Sequence, residues 1–277
     1  LTYSQNFNKL NNQALRYTPD DSYNFYRVCR NEASHIPVDP AAVGFGRNLS
    51  QIQMNLNRHI QHPWNQSPQQ ATTLQNELSE KLILHSGLAL SKYKTVAGVD
   101  VHYNETRAVA AVVVMDILSL ETVEIATAKK VVGYPYIPGL LSFREGPAIL
   151  AALKKLKLSP DLLIFDGQGI AHPRRFGIAS HIGLLVDIPS IGCAKTRLIG
   201  QYLEPKSVKG HFTYLKDRGK IIGAAVRTRN SVKPVYVSIG HRINLRDCIN
   251  LILQCCDKYR LPEPIRRAHA HARQLIS

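Results

Sequence analysis

The chain has 277 residues and a mass of 31.0 kDa, which allows one large domain or one domain with an appendage. Hydrophobic residues make up 44% of it, and its longest apolar run, Ala108 to Met115, is far too short to span a membrane. Thirty-five Lys and Arg against 20 Asp and Glu leave a net charge of +15, a balance that favours a polyanionic partner such as nucleic acid.

Residues 1–53 carry four of the twelve Tyr, many Asn and Gln, and no sustained apolar period. Five basic and four acidic residues give this stretch +1, so +14 resides on residues 54–277. Two readings stand: a weakly structured N-terminal extension, or an over-extended start with Met54 as the true initiator. Both predict low order there and place the working domain in residues 54–277.

Regular patterning begins at Ser67-Pro68-Gln69-Gln70, where Ser caps a helix and Pro occupies its first position. That helix is expected to reach about His85. Strands are predicted over Thr95–Tyr103, Arg107–Leu118 and Thr122–Val131, the last at a sheet edge. Their short connectors predict an antiparallel meander. An amphipathic helix follows over Leu141–Leu156, then a short apolar strand from Asp161 to Asp166. A helix over Arg175–Val186, strands at Ser190–Ala194, Lys220–Arg227 and Val235–Ile239, and a helix over Leu245–Tyr259 complete the pattern. The expected class is α/β, with a mixed central sheet flanked by helices. The segment Arg266–Arg273 is expected to be a solvated, partly frayed helix.

Three acids stand out. Asp100 follows the apolar strand core Val96–Val99, Asp166 ends the run Leu162–Phe165, and Glu145 lies early in the helix after Pro138-Gly139. A carboxylate at a buried strand is costly unless it is paired or binds a cation, and strand ends are where α/β sheets carry ligand sites. In isolation Asp166-Gly167 reads as a turn. Three acids able to converge are instead what Mg²⁺ requires: oxygen ligands with positions left for water and phosphate.

Cations that suit a phosphodiester surround them. His172-Pro173-Arg174-Arg175 precedes a helix, Lys195 follows the strand Ile191–Ala194, and His241 follows Val235–Ile239. Lys195 could stabilise charge developing on phosphate. Arg174 and Arg175 read equally as a solvated helix start, and His241 as a capped surface histidine. Tyr134-Pro135-Tyr136-Ile137-Pro138-Gly139 is a stiff loop whose Tyr can stack on a base.

At this point residues of about 65–264 resemble the endonuclease V family. The matching stretches are Val96-Ala97-Gly98-Val99-Asp100, Pro135-Tyr136-Ile137-Pro138-Gly139-Leu140-Leu141-Ser142-Phe143-Arg144-Glu145, Asp166-Gly167-Gln168-Gly169, His172-Pro173-Arg174-Arg175-Phe176-Gly177, Ile191-Gly192-Cys193-Ala194-Lys195 and Tyr259-Arg260-Leu261-Pro262-Glu263-Pro264. The resemblance implies a ribonuclease H-like fold and a Mg²⁺-dependent endonuclease of DNA repair, with Mn²⁺ able to substitute. It implies action on deoxyinosine, with cleavage of the second phosphodiester bond on the 3′ side to leave 3′-hydroxyl and 5′-phosphate ends. It further implies Asp100, Glu145 and Asp166 as metal-binding acids, His241 as a histidine near the metal, Lys195 at the scissile phosphate and Tyr136 as a wedge. Gly139 and Gly169 would let backbone close on an extruded base, with Arg174 and Arg175 also on the substrate.

Two positions depart from the family pattern. Gln168 stands where His is usual, which puts any proton-transfer role of that His in doubt. His102 stands two residues after the first acid, where a small residue is usual; positions i and i+2 of a strand share a face, so it points either towards the metal or, as expected, to solvent at the strand end. The alternatives to the DNA reading are an inosine-specific endoribonuclease and a catalytically silent nucleic-acid-binding protein. Membrane attachment lacks a basic amphipathic helix with aromatic anchors. A monomer is expected because no heptad seam is present, and a cytoplasmic location is expected from five cysteines without a C-x-x-C pair and no secretory pattern.

Overall fold

β1 (Thr95–Tyr103), β2 (Arg107–Asp116) and β3 (Thr122–Val131) form the expected antiparallel meander in the computed structural model. The structure describes residues 60–85, 89–104 and 106–276; the expectations for residues 1–53 lie outside them. β4 (Leu162–Phe165), β5 (Ser190–Ala194), β6 (Phe212–Asp217), β7 (Lys220–Val226) and β8 (Val235–His241) complete an eight-stranded mixed sheet of order β3-β2-β1-β4-β5-β8-β7-β6. β4 and β5 run parallel to β1, while β8 and β7 run antiparallel to their neighbours. This is the mixed α/β architecture predicted. Among the described residues no helix is long and apolar enough to cross a membrane.

The helices are α1 (Pro68–Ser79), α2 (Leu141–Leu153), α3 (Ile178–Val186), α4 (Leu245–Gln254) and α5 (Glu263–Ile276). α1 starts at the predicted cap: Ser67 Oγ accepts from the Gln70 N–H, and Gln70 Oε1 accepts from the Ser67 N–H. It stops at Ser79, earlier than expected. The period-2 alternation of β1 sends its side chains to two cores. Val96 packs with Met115, Ile164 and Ile191 under α4 and α5. Ala97 and Val99 pack with Val112, Leu163 and Phe165 under α2 and α3. β2 is covered on both faces, which is why its sequence is almost continuously apolar.

Two elements depart from the sequence expectation. β6 is a half-exposed edge strand with a mixed polar sequence, so it shows no alternation. α5 is not a frayed, solvated helix: Pro264, Ile265, Ala268 and Ala272 are buried against the sheet.

Candidate active site

The register of the two central parallel strands sets the site. Val99 pairs with Phe165, so Asp100 and Asp166 are the next residues along neighbouring strands, and the Asp166 N–H donates to the Val99 carbonyl. Just beyond β5, the Lys195 ammonium donates to Asp166 Oδ2.

Asp100 shares the α5 face of β1 with Gly98 and His102. An added Cβ at Gly98 would lie 2.0 Å from the carbonyl carbon of Pro264. Only glycine lets the first turn of α5 approach so closely. The helix thereby carries His269 over the strand end, with its Nδ1 2.8 Å from Asp100 Oδ2. His102 also faces this cluster rather than solvent: its Nε2 lies 3.0 Å from His269 Nδ1 and 3.6 Å from Asp100 Oδ2. Among the described residues, Asp100, His102 and His269 are the group whose donor atoms converge closely enough to hold one cation.

Glu145 approaches from the other face of the sheet, on α2. It is buried, and Tyr103 donates its hydroxyl to Glu145 Oε1 at 2.5 Å. Arg144 stacks 4.7 Å over the Tyr103 ring and donates to the Tyr134 carbonyl, fixing the start of α2 to the preceding loop. Burial, with lesser repulsion from Asp100 and Asp166, pushes Glu145 up to about 8. Burial and the Asp166 charge raise Asp100 to about 6, against the opposing pull of His269. Carboxylates so destabilised in their charged form gain most from a dication. Carboxylate oxygens suit Mg²⁺ and Mn²⁺, and first-row transition ions also accept imidazole nitrogen; the residues fit a metal-dependent site.

The raised Glu145 pKa has a measurable consequence. A carboxyl with a raised folded-state pKa stabilises the fold below its ordinary value and loses that contribution as pH rises through the folded value. For Glu145 the window runs from 4.5 to about 8. In metal-free protein, Glu145→Gln therefore raises the melting temperature relative to the parent, by a margin that opens across this window. Parallel melting curves for the two proteins over that range would show that Glu145 titrates normally.

A cleft of about 290 Å³ opens beside Asp166, lined by Tyr136, Gly139, Gln168, His172 and Lys195 among others. Tyr136 stands 68% exposed on its rim, free to meet a base. Gly139, at φ +82°, turns its carbonyl inward to accept from Gln75 Nε2, His172 Nε2 and an Arg174 guanidinium nitrogen. His172 is buried and held neutral, pushed down to about 4 by burial and then by Arg174. Its Nδ1 accepts from the Arg174 N–H, so both ring nitrogens serve to hold this loop.

Several predicted substrate residues are engaged within the fold. Arg174 is a strut: its Nε donates to Gln75 Oε1 at 2.6 Å while its guanidinium also holds Gly139. Arg175 pairs with Asp217 at 2.5 Å, clamping the loop to β6. Gly169 does not line the cleft. An added Cβ there would meet the Ile239 carbonyl oxygen at 2.0 Å, and its N–H is already given to Ser238 Oγ. Gln168 donates to the Thr196 carbonyl and braces the Asp-Gly loop against the residues after β5.

His241 belongs to the opposite end of the sheet. It pairs with Ser190, the first residue of β5, whereas Asp166 and Lys195 follow the last residues of β4 and β5. Its Nδ1 accepts from the Ile83 N–H and its Nε2 donates to Asp187 Oδ1, so a buried neutral ring is fully occupied. The histidine beside the acids is His269. The stripe Ile265, Ala268, His269, Ala272 follows the i, i+3, i+4, i+7 pattern of a buried helix face and is the signal for it. Tyr103 and Gln75 are not foreseeable in the same way, because their roles depend on partners 42 and 64 residues away.

The sequence model of the family described as Endonuclease V matches residues 76–270. The chain belongs to the Endonuclease V family. An Endonuclease V of Dictyoglomus turgidum is 52% identical over 209 residues, covering 76% of this chain and 91% of the relative. The crystal structure of Endonuclease V from Streptomyces avermitilis superposes with a TM-score of 0.74 at 41% identity, covering 78% of this chain and 96% of that one. Endonuclease V from Ciona intestinalis, 30% identical with a TM-score of 0.64 over 75% of this chain and 97% of its own, was solved in complex with a 24mer DNA containing an inosine followed by a ribo-adenosine.

Proposed function

We propose that this chain is a metal-dependent endonuclease of DNA repair that recognises deoxyinosine and hydrolyses the second phosphodiester bond on its 3′ side, leaving 3′-hydroxyl and 5′-phosphate ends. The observation that carries this reading is the joining of two features. His269 meets Asp100 at the end of β1, Asp166 ends the neighbouring strand, and a cleft rimmed by Tyr136 opens beside Asp166.

Asp100, Asp166 and His269 would hold the cation, taken as Mg²⁺ with Mn²⁺ able to substitute, and Glu145 would orient a ligand or water. Such an ion supplies positive charge to the scissile phosphate and lowers the pKa of a water nucleophile. Lys195 adds a second positive charge at Asp166, where the phosphate must lie to react. Tyr136 fills the gap left when the base swings out. The pinned Pro138-Gly139 loop forms a wall of the pocket that receives it. The size of the cleft, near the lower end of small-molecule sites at roughly 300 Å³, suits one base. The +15 charge supplies non-specific attraction to the phosphate backbone.

The deciding experiment is cleavage of matched labelled single strands, one DNA and one RNA, each with a single inosine, at one salt concentration with Mg²⁺, Mn²⁺ or chelator. Metal-dependent cutting of the DNA at the second bond beyond inosine is expected. Preferential cutting of the RNA would reassign the same residues to inosine in RNA, and no cutting of either would leave a nucleic-acid-binding protein.

Tyr136→Ala is expected to weaken inosine-DNA binding by about 1–3 kcal/mol, the range for a base stacked on an aromatic ring. A titration showing an unchanged Kd would mean that Tyr136 does not touch the nucleic acid.

A further inference from the structure

His102 is not needed to hold β1 in place. Its neighbours on the same face, Val96 and Gly98, pack against the apolar core and the backbone of α5, whereas His102 lies partly exposed at the strand end. Its Nε2 nevertheless points at the same centre as Asp100 Oδ2 and His269 Nδ1. The three separations are 2.8, 3.0 and 3.6 Å. Ligand atoms bound about 2.0–2.2 Å from a common ion stand about 3.0–3.5 Å apart, so this triangle has the size of one face of a coordination shell.

Hydrogen bonding alone satisfies the triangle poorly. His269 Nδ1 lies within bonding distance of both Asp100 Oδ2 and His102 Nε2. One ring nitrogen carries either a proton or a lone pair. With a proton it must share one N–H between the carboxylate and the second imidazole, and with a lone pair it can accept from His102 but faces the carboxylate unpaired. A shared cation satisfies all three atoms.

We propose that His102 is a ligand of the metal ion, so that it forms with His269 and Asp100 one face of the coordination shell, and that this face makes the centre favour nitrogen-accepting divalent ions such as Mn²⁺ and Co²⁺ over Mg²⁺. The second imidazole drives the preference, since Mg²⁺ is served best by oxygen and first-row transition ions accept nitrogen readily. The inference rests on the reading that Asp100 and His269 hold the cation, and it deepens that reading by naming the ion class.

The test is metal binding to the full chain without nucleic acid. Calorimetry gives the affinities for Mn²⁺, Co²⁺ and Mg²⁺, and electron spin echo modulation of bound Mn²⁺ counts imidazole nitrogens. The parent protein should show two imidazoles, and His102→Ala and His102→Ser one each. Both variants should lose at least about ten-fold in Mn²⁺ and Co²⁺ affinity, a loss seen even for groups that only orient a ligand, while Mg²⁺ affinity changes by less than about three-fold. Two variants of different size guard against a local folding defect, checked by unchanged melting in chelator. Asp100→Asn separates the two failures. If it leaves binding intact, the cation is not held here and both readings fall. If it abolishes binding while the His102 variants keep full affinity and two imidazole signals, the His102 proposal alone is overturned.

Discussion

Replacing Asp100 with Ala is expected to abolish metal-dependent cleavage, by roughly 10³-fold or more, while inosine-DNA binding stays within about 1–2 kcal/mol of the parent. The two effects separate because the groups are separate. Asp100 faces α5 and His269, whereas the cleft is lined by Tyr136, Gly139 and Gln168. Loss of Asp100 also strips His269 Nδ1 of its carboxylate partner. The activity loss should therefore exceed that of removing a charge that merely orients a neighbour. Residual positive charge is untouched, so backbone contacts persist, and the comparison must be made at one salt concentration. Single-turnover cleavage alongside equilibrium binding checks the prediction; an active Asp100→Ala protein would remove this acid from the reaction.

Gly98→Ala is expected to cripple the enzyme from a residue that touches no substrate. The added methyl would fall 2.0, 2.1 and 2.5 Å from the Pro264 carbonyl carbon and oxygen and the Ile265 nitrogen. All three are backbone atoms, so no rotamer change relieves the clash. α5 must lift from β1, exposing Ile265, Ala268 and Ala272 and drawing His269 away from Asp100. Overpacking of this kind costs about 1–3 kcal/mol or more, equivalent to a melting temperature lower by roughly 2–12 °C for a domain of this size. Metal affinity should fall with it. Melting curves with and without Mn²⁺ decide: if both the melting temperature and the metal-induced rise match the parent, α5 does not depend on the bare backbone of Gly98.

The acids are legible in the sequence because local physics marks them. An apolar run that ends in Asp, twice, on neighbouring strands is costly without a partner or a cation, and Asp100 and Asp166 do lie side by side at adjacent strand ends. The strand limits of β1, β3 and β5 and the cap of α1 are readable for the same reason, since alternation, β-branched content and a Ser-Pro start are properties of neighbours in the chain. The cations are not equally readable. Arg174, Arg175 and Lys195 are all basic and all follow the motif acids, yet two are struts and one faces Asp166. Nothing in a residue's type or its sequence neighbours distinguishes a guanidinium spent on a carbonyl from one left for phosphate.

Sequence alone thus determined the class of fold, the two acids at neighbouring strand ends, the exposed Tyr136 and the positive charge that favours a polyanion. These follow from hydrophobic period, turn chemistry and composition, which act over a few residues or over the whole chain. Tertiary structure decided which histidine lies beside Asp100. His241 and His269 are both basic, both distant in sequence from Asp100, and both sit near an apolar stretch. Antiparallel pairing with β5 carries His241 to the far end of the sheet, where Asp187 and the Ile83 backbone occupy it. A glycine at position 98 lets α5 settle against β1 and sets His269 on Asp100. Strand direction and the closest approach of two backbones are long-range properties, and they exist only once the chain has folded.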